Sequence, residues 1–287
     1  MDQRVSGALY VTVSAIAFGA MAIFARQAYA GGADVVAILL LRFSIAAATM
    51  VVITLALGRR WPRGRNLAIL AAMGGVGYVA QSLAFFSALN YASAGLVALL
   101  LYLYPFLVTV LGAMLFGQPL GRGRLLAVLA ALLGTALTLG GGLAGQPLGI
   151  VLGVSAALIY SLYILAGGRV LAYEDPIAAV TVVMSAAALT FALIALVQPP
   201  QFPTTVPSWL AVVAIALLCT VVAMLGFFIG LRRLGAADAA TLSTLEPVVT
   251  IVLAAIFLGE PFALLQIVGG AIILGAVIWL TRAGGRR

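Results

Sequence analysis

Apolar residues run along this chain in blocks close to the ~20 residues at which an α-helix crosses the hydrocarbon of a bilayer. Ten blocks are predicted to be membrane helices, at 7–29, 34–56, 67–89, 92–115, 122–141, 147–167, 176–197, 208–231, 236–258 and 262–281. The gaps between them are short and rich in arginine, glycine or proline. If ten helices alternate in direction, thirteen of the fifteen basic residues share one side: Arg4, Arg59, Arg60, Arg63, Arg65, Arg122, Arg124, Arg169, Arg232, Arg233, Arg282, Arg286 and Arg287. The opposite gaps, at Asn90, 141–147, 198–207 and Glu260, hold no basic residue. Cytoplasmic loops carry the excess of Lys and Arg, so both termini are expected in the cytoplasm.

Composition agrees with the pattern. With 65% hydrophobic residues, 8% charged residues and a mean hydropathy of +1.25, the 287-residue chain cannot cover itself with a water-facing surface, and it reads as an all-α integral membrane protein. The net charge of +8 would suggest nucleic acid in a soluble chain. Here the arginines sit in short gaps where they orient helices, so no nucleic-acid partner is expected. Cys219 is alone and cannot close an intrachain disulfide, and the absence of histidine removes the commonest metal ligand and general base. No P-loop, HExxH, G-x-S-x-G or cysteine pair is present, so the chain is not expected to be an enzyme, and neither cofactor nor metal is expected. Arg4, the apolar run 7–25 and Ala28-Tyr29-Ala30 imitate a cleavable signal peptide, but the run is too long for a signal core and a second spanning run follows at once. The segment is expected to be retained.

One block carries an acid. In 236–261, AADAATLSTLEPVVTIVLAAIFLGEP, Glu246 and Pro247 fall near the middle of the apolar run. A charge at a membrane-helix centre costs about 2.5–3.5 kcal/mol on insertion scales, so such residues face a bundle interior or a wet cavity. A shift of 142 residues aligns 85–119 with 227–261 without a gap, pairing Phe85-Phe86 with Phe227-Phe228, Pro105 with Pro247, Gly117 with Gly259 and Pro119 with Pro261. A shift of 141 pairs Val13-Ser14-Ala15 with Val154-Ser155-Ala156, and Asp34 with Asp175. These coincidences predict two five-helix halves, 1–143 and 144–287. Five being odd, the second half enters from the other side, which makes the halves inverted repeats.

The residues resemble the drug/metabolite transporter superfamily, specifically its ten-helix EamA-type exporters. LEPVVTIVLAAIFLGEP looks like the signature helix of that family, with Glu246-Pro247 followed by Gly259-Glu260, and LLLRFSIAAA, containing Arg42, is similar to its arginine-bearing second helix. Within the family the amino-acid and metabolite exporters of the YddG kind are the nearest match. In the first half Tyr104 and Gln118 stand at the positions of Glu246 and Glu260, so the polar centre is asymmetric.

Pro105 and Pro247 lack an N–H and are expected to free the carbonyls of Leu101 and Ser243, four residues earlier, which makes them candidate hinges. Two readings of Glu246 are open: a contact for a substrate amine or a proton, and a structural or gating pair with Arg42. Arg26 and Asp34 flank the first outer gap as a solvated rim or a small external gate. Tyr78, Gln81, Ser82 and Phe85 share a face of the third helix, Tyr160 and Tyr163 one of the sixth, and Tyr102 lies near the middle of the fourth. With Phe227, Ser243 and Glu246 they are the candidate walls of a solute cavity, which needs apolar surface and a few aimed polar groups. Tyr10, Trp61, Trp209 and Trp279 are expected at the membrane interfaces. Gly149 with Gly153, and Gly226 with Gly230, form GxxxG pairs for packing within the monomer or a homodimer seam, the monomer being the working unit.

The resemblance implies a bacterial-type inner-membrane exporter working by alternating access on small amphiphilic metabolites, amino acids first. The rivals are an exporter of multiple drugs or lipophilic cations and a non-transporting scaffold or sensor. The repeat and the buried polar groups argue against the last.

Overall fold

In the computed structural model, which describes residues 3–88, 91–92, 94–117, 121–139, 145–258 and 263–283, the described residues form helices joined by short turns, with one isolated bridge between Ala92 and Gly145. Eight helical stretches among them are long and apolar enough to cross a membrane: Gln3–Ala30, Val35–Ala56, Gly64–Phe85, Leu96–Phe116, Pro147–Val170, Pro176–Val197, Val206–Leu234 and Ala236–Phe257. Asn90, Gln118, Pro119, Gly259, Glu260 and Pro261 lie outside the described residues.

Five of the expected helices are interrupted. The first consists of α1 (Gln3–Gly19) and α2 (Met21–Ala30), and α3 (Val35–Ala56) follows unbroken. The third is α4 (Gly64–Ala72), a π-helical segment Met73–Tyr78 and α5 (Val79–Ala88), and the fourth is α6 (Ala94–Leu101) and α7 (Tyr104–Phe116). After α8 (Arg122–Leu139), α9 (Pro147–Val170) and α10 (Pro176–Val197), the eighth is α11 (Val206–Ala216), a second π-helical segment Leu217–Val222 and α12 (Ala223–Leu234). The ninth is α13 (Ala236–Leu242) and α14 (Leu245–Leu258), and α15 (Leu264–Ala283) ends the described chain. Pro105 and Pro247 each stand just after such a break, because a proline cannot continue the preceding turn. The π segments have no such marker, and one extra residue per turn leaves an all-round apolar helix apolar.

The packing repeats itself. α3 packs on α10 and α8 on α15, α1 packs on α12 as α9 does on α5, and α1 packs on α14 as α9 does on α7. Shifted by the sequence repeat, each of these contacts maps onto itself or onto another in the set. The caps repeat too: Asp34 opens α3 by accepting from Ala37 N at 2.7 Å, and Asp175 opens α10 by accepting from Ile177 N at 2.9 Å. Asp34 is therefore the cap of α3.

Both GxxxG pairs are covered from within the chain. A Cβ on Gly149 would lie 2.8 Å from Ala92 Cβ, one on Gly153 2.8 Å from Leu100, and one on Gly226 2.9 Å from the Tyr10 carbonyl. One end of the bundle gathers charge: Arg59 pairs with Asp175 at 3.4 Å, Asn66 donates to Glu174 at 2.7 Å, and a cleft of about 470 Å³ is lined by Gln3, Arg59, Asp175, Arg232 and Arg233. At another end, without arginine in the contacts, Asp34 N donates to Gln201 O at 3.0 Å and Thr204 N to Gly31 O at 2.9 Å.

Gly74, in the first π segment, lies so close to α10 that an added Cβ would run into the backbone carbonyl of Val183. Gly77 in the same segment has only ordinary contacts, the nearest at 3.7 Å. Gly74→Ala is therefore expected to lower stability by about 1–3 kcal/mol through overpacking, with Gly77→Ala near neutral. Thermal unfolding of the two variants in one detergent checks the difference, and equal melting temperatures would contradict the contact.

Candidate functional site

Arg42, on α3, is 6% exposed and sits between the two π segments. Its Nε donates to Thr220 Oγ1 at 2.7 Å and its Nη2 to Tyr78 Oη at 3.0 Å. Tyr78 closes the first π segment, Thr220 lies in the second, and they stand 142 residues apart, so equivalent positions of the repeat hold one guanidinium from both sides. The guanidinium carbon lies 5.0 Å from the Phe43 ring centre and 5.8 Å from that of Tyr78, within cation–π range. Thr220 in turn donates to the Ile215 carbonyl five residues back, at 2.8 Å, which fixes its hydroxyl as an acceptor for Arg42.

From Arg42 an aromatic row leads to Glu246. Ring centres are 5.8 Å apart for Tyr78 and Tyr163, 6.1 Å for Tyr163 and Tyr160, 4.8 Å for Tyr160 and Tyr104, and 6.2 Å for Tyr104 and Tyr102. The Tyr102 hydroxyl donates to Glu246 Oε2 at 3.5 Å, a long bond at the edge of the usual range. Glu246 occupies the first turn of α14 and so faces the positive end of that helix dipole. Tyr102, Tyr160 and Glu246 are half-buried. The Tyr163 hydroxyl is buried without a hydrogen-bond partner, and that of Tyr104 faces Ser243 outside hydrogen-bond geometry.

The repeat reaches the backbone here. Gly19, at the end of α1, lies so close to α14 that a Cβ would stand 3.0 Å from the Glu246 carbonyl, and Thr250 donates to the Gly19 carbonyl at 2.9 Å. On α9, one residue beyond the position equivalent to Gly19, Ser161 lies against α7 and its hydroxyl is 3.3 Å from the Tyr104 carbonyl.

The expected residues therefore divide. Tyr78, Tyr102, Tyr160, Tyr163, Glu246 and Arg42 come together in one row, and Pro105 and Pro247 flank it at the helix breaks. Gln81 and Phe85 are half-buried and Ser82 buried, one to two turns beyond Tyr78. Phe227 is buried, with its ring 6.5 Å from Phe228, which stands behind Tyr163. Ser243 is also buried, and its hydroxyl donates to the Ala239 carbonyl. Two expectations are corrected. The Ser243 carbonyl is not free, since it accepts the Glu246 amide at 3.0 Å in a tightened turn, and the pair of Arg42 with Glu246 is not made, each having hydroxyl partners instead.

Sequence reasoning missed two residues. Thr220 is the repeat partner of Tyr78, and carrying the 142-residue shift seven positions upstream of Phe85 would have found it. Asp238, 2% exposed in α13, accepts from Arg4 Nη2 at 2.9 Å and from Arg124 Nε at 3.0 Å, tying α1 and α8 to the start of the Glu246 segment. Its one signal was an acid inside an apolar run facing two helix starts that carry arginine.

The family description that matches is the EamA-like transporter family, which covers residues 5–140 and again 147–282. The chain is 27% identical to the uncharacterized transporter YcbK of Bacillus subtilis over 93% of this chain and 90% of that one. It is 25% identical to a probable terminal-alkyne amino-acid exporter of Streptantibioticus cattleyicolor over 99% and 97% of the two chains. It is 29% identical to the aromatic amino acid exporter YddG of Ancylobacter novellus over 68% and 69%.

Neutralising Asp238 would leave two arginines facing each other at a buried site. Asp238→Asn is expected to cost about 2 kcal/mol, below the full value of a buried pair because both arginines are about a third exposed. A lowered melting temperature in detergent is the readout, and an unchanged one would mean that the pairs add nothing.

Proposed function

The chain belongs to the EamA-like transporter family, and from that premise we propose that it is an exporter of the bacterial-type inner membrane that moves small amphiphilic metabolites, amino acids first, by alternating access. An aromatic amino acid exporter and a probable amino-acid exporter among the relatives, with the make-up of the polar row, support this reading. The observation that carries it is Glu246: a half-buried acid beside a proline-marked helix break and at the end of a row of tyrosine faces. A carboxylate and aromatic faces together suit an ammonium group.

In this reading α8 and α15 add two spans to the eight apolar stretches, giving ten helices in two inverted halves, 1–143 and 144–287. The family match to each half and the self-mapping helix contacts support the division. The arginine-bearing end faces the cytoplasm, with both termini. The breaks before Pro105 and Pro247 are where the halves bend as they rock, because those turns are short of a backbone donor. The same acid and rings would also suit lipophilic cations, which makes an exporter of such drugs the second reading.

Counterflow into proteoliposomes of labelled amino acids and of quaternary ammonium compounds, with and without a pH gradient, decides between the two. Glu246→Gln is expected to slow transport of the amine-bearing substrate about tenfold or more, as loss of a charged hydrogen-bond partner worth ~1.5–3 kcal/mol implies. Unchanged transport of every substrate in that variant would remove Glu246 from the mechanism.

A further inference from the structure

The acids of the described chain are accounted for without reaching Arg42. Asp34 and Asp175 cap α3 and α10, Glu174 accepts from Asn66, Asp238 accepts from Arg4 and Arg124, and Glu246 accepts from Tyr102. Arg42 thus carries a buried positive charge whose partners among the described residues are two neutral hydroxyls and two ring faces. A guanidinium cannot shed its proton to escape burial, as a lysine can. Hydroxyls and rings offset part of the desolvation, but a buried cation within a membrane calls for a counter-charge. The two hydrogen bonds use Nε and Nη2, and Nη1 makes none and is not sealed in. Tyr160 lies within Coulombic reach of both Arg42 and Glu246, and Tyr163, whose hydroxyl has no hydrogen-bond partner, stands between Tyr160 and Tyr78.

We propose that Arg42 binds the carboxylate of a zwitterionic solute, an amino acid, beside the tyrosine row. The inference rests on the transport reading above and names the group of the substrate that Arg42 selects. Thr220 and Tyr78 orient the guanidinium from both repeats and leave Nη1 for the ligand. Solutes with an amine and no carboxylate leave the arginine uncompensated and are disfavoured, which separates amino acids from lipophilic cations at this site.

The test is competition against counterflow of labelled phenylalanine and of labelled leucine by full-length protein in proteoliposomes. The competitors are each amino acid, its amide and its decarboxylated amine, phenethylamine or isopentylamine. Wild type is expected to prefer each acid over its amide about tenfold or more. Arg42→Gln is expected to bring that ratio close to one, and Arg42→Lys to retain part of it. A wild type that takes amide or amine as well as the acid overturns the proposal, and this arm needs no variant to fold. An Arg42→Gln protein, monodisperse in detergent, that keeps the wild-type ratio overturns it as well, while leaving amino-acid export standing. A wild type that moves cations but neither amino acid ends the amino-acid reading and the inference together.

Discussion

A guanidinium that cannot lose its charge lies buried between the two π segments, and the centre of the molecule is arranged around that constraint. Arg42 is reached by Tyr78 from one segment and by Thr220 from the other, so the irregular turns of both halves meet on one side chain. Without the extra residue that each π turn accommodates, the register of α5 and α12 would rotate by roughly a third of a turn, on the order of 100°. Tyr78 and Thr220 would then leave the arginine. The glycine that allows the first π segment to press on α10, Gly74, serves the same contact from behind.

Equivalent positions of the sequence repeat meet here, so the site is one site and not two. Tyr78 with Thr220, and Tyr104 with Glu246, show how divergence between equivalent positions produces asymmetry. Tyr104 and Glu246 stand at equivalent starts of short helices, α7 and α14, and each has its backbone carbonyl approached by α9 or α1, at positions within one residue of equivalence. The framework is symmetric and the chemistry is not. Arg42 on α3 has buried apolar residues, Val183 and Met184, at the corresponding place of α10. One positive group and one acid therefore stand at opposite ends of a common row of rings.

Away from the row, the arginine-rich end has its own organisation. Asp238 draws Arg4 and Arg124 together at the start of α13, and Arg59 meets Asp175 at the start of α10. These ion pairs join elements of both halves at the end where the short gaps carry charge. They sit on the helical segment that precedes Glu246 and beside the α3–α10 contact that carries Arg42.

The hydropathy pattern alone determined the membrane, the helical class and the approximate helix positions, because insertion into a bilayer is a length-and-polarity criterion that each segment satisfies by itself, and residue coincidences at a fixed shift gave the internal repeat. Pro105 and Pro247 announced their breaks for an equally local reason, the missing N–H. Tertiary structure decided the partners. That Arg42 meets Thr220 and Tyr78 instead of Glu246, that the Ser243 carbonyl is occupied by the Glu246 amide, and that Asp238 holds two arginines all depend on which helices touch and at what rotation. In helices that are apolar on every face, hydrophobic periodicity carries almost no information about rotation. The π segments escaped the sequence for that reason, and with them the placement of the two hydroxyls that hold the buried charge.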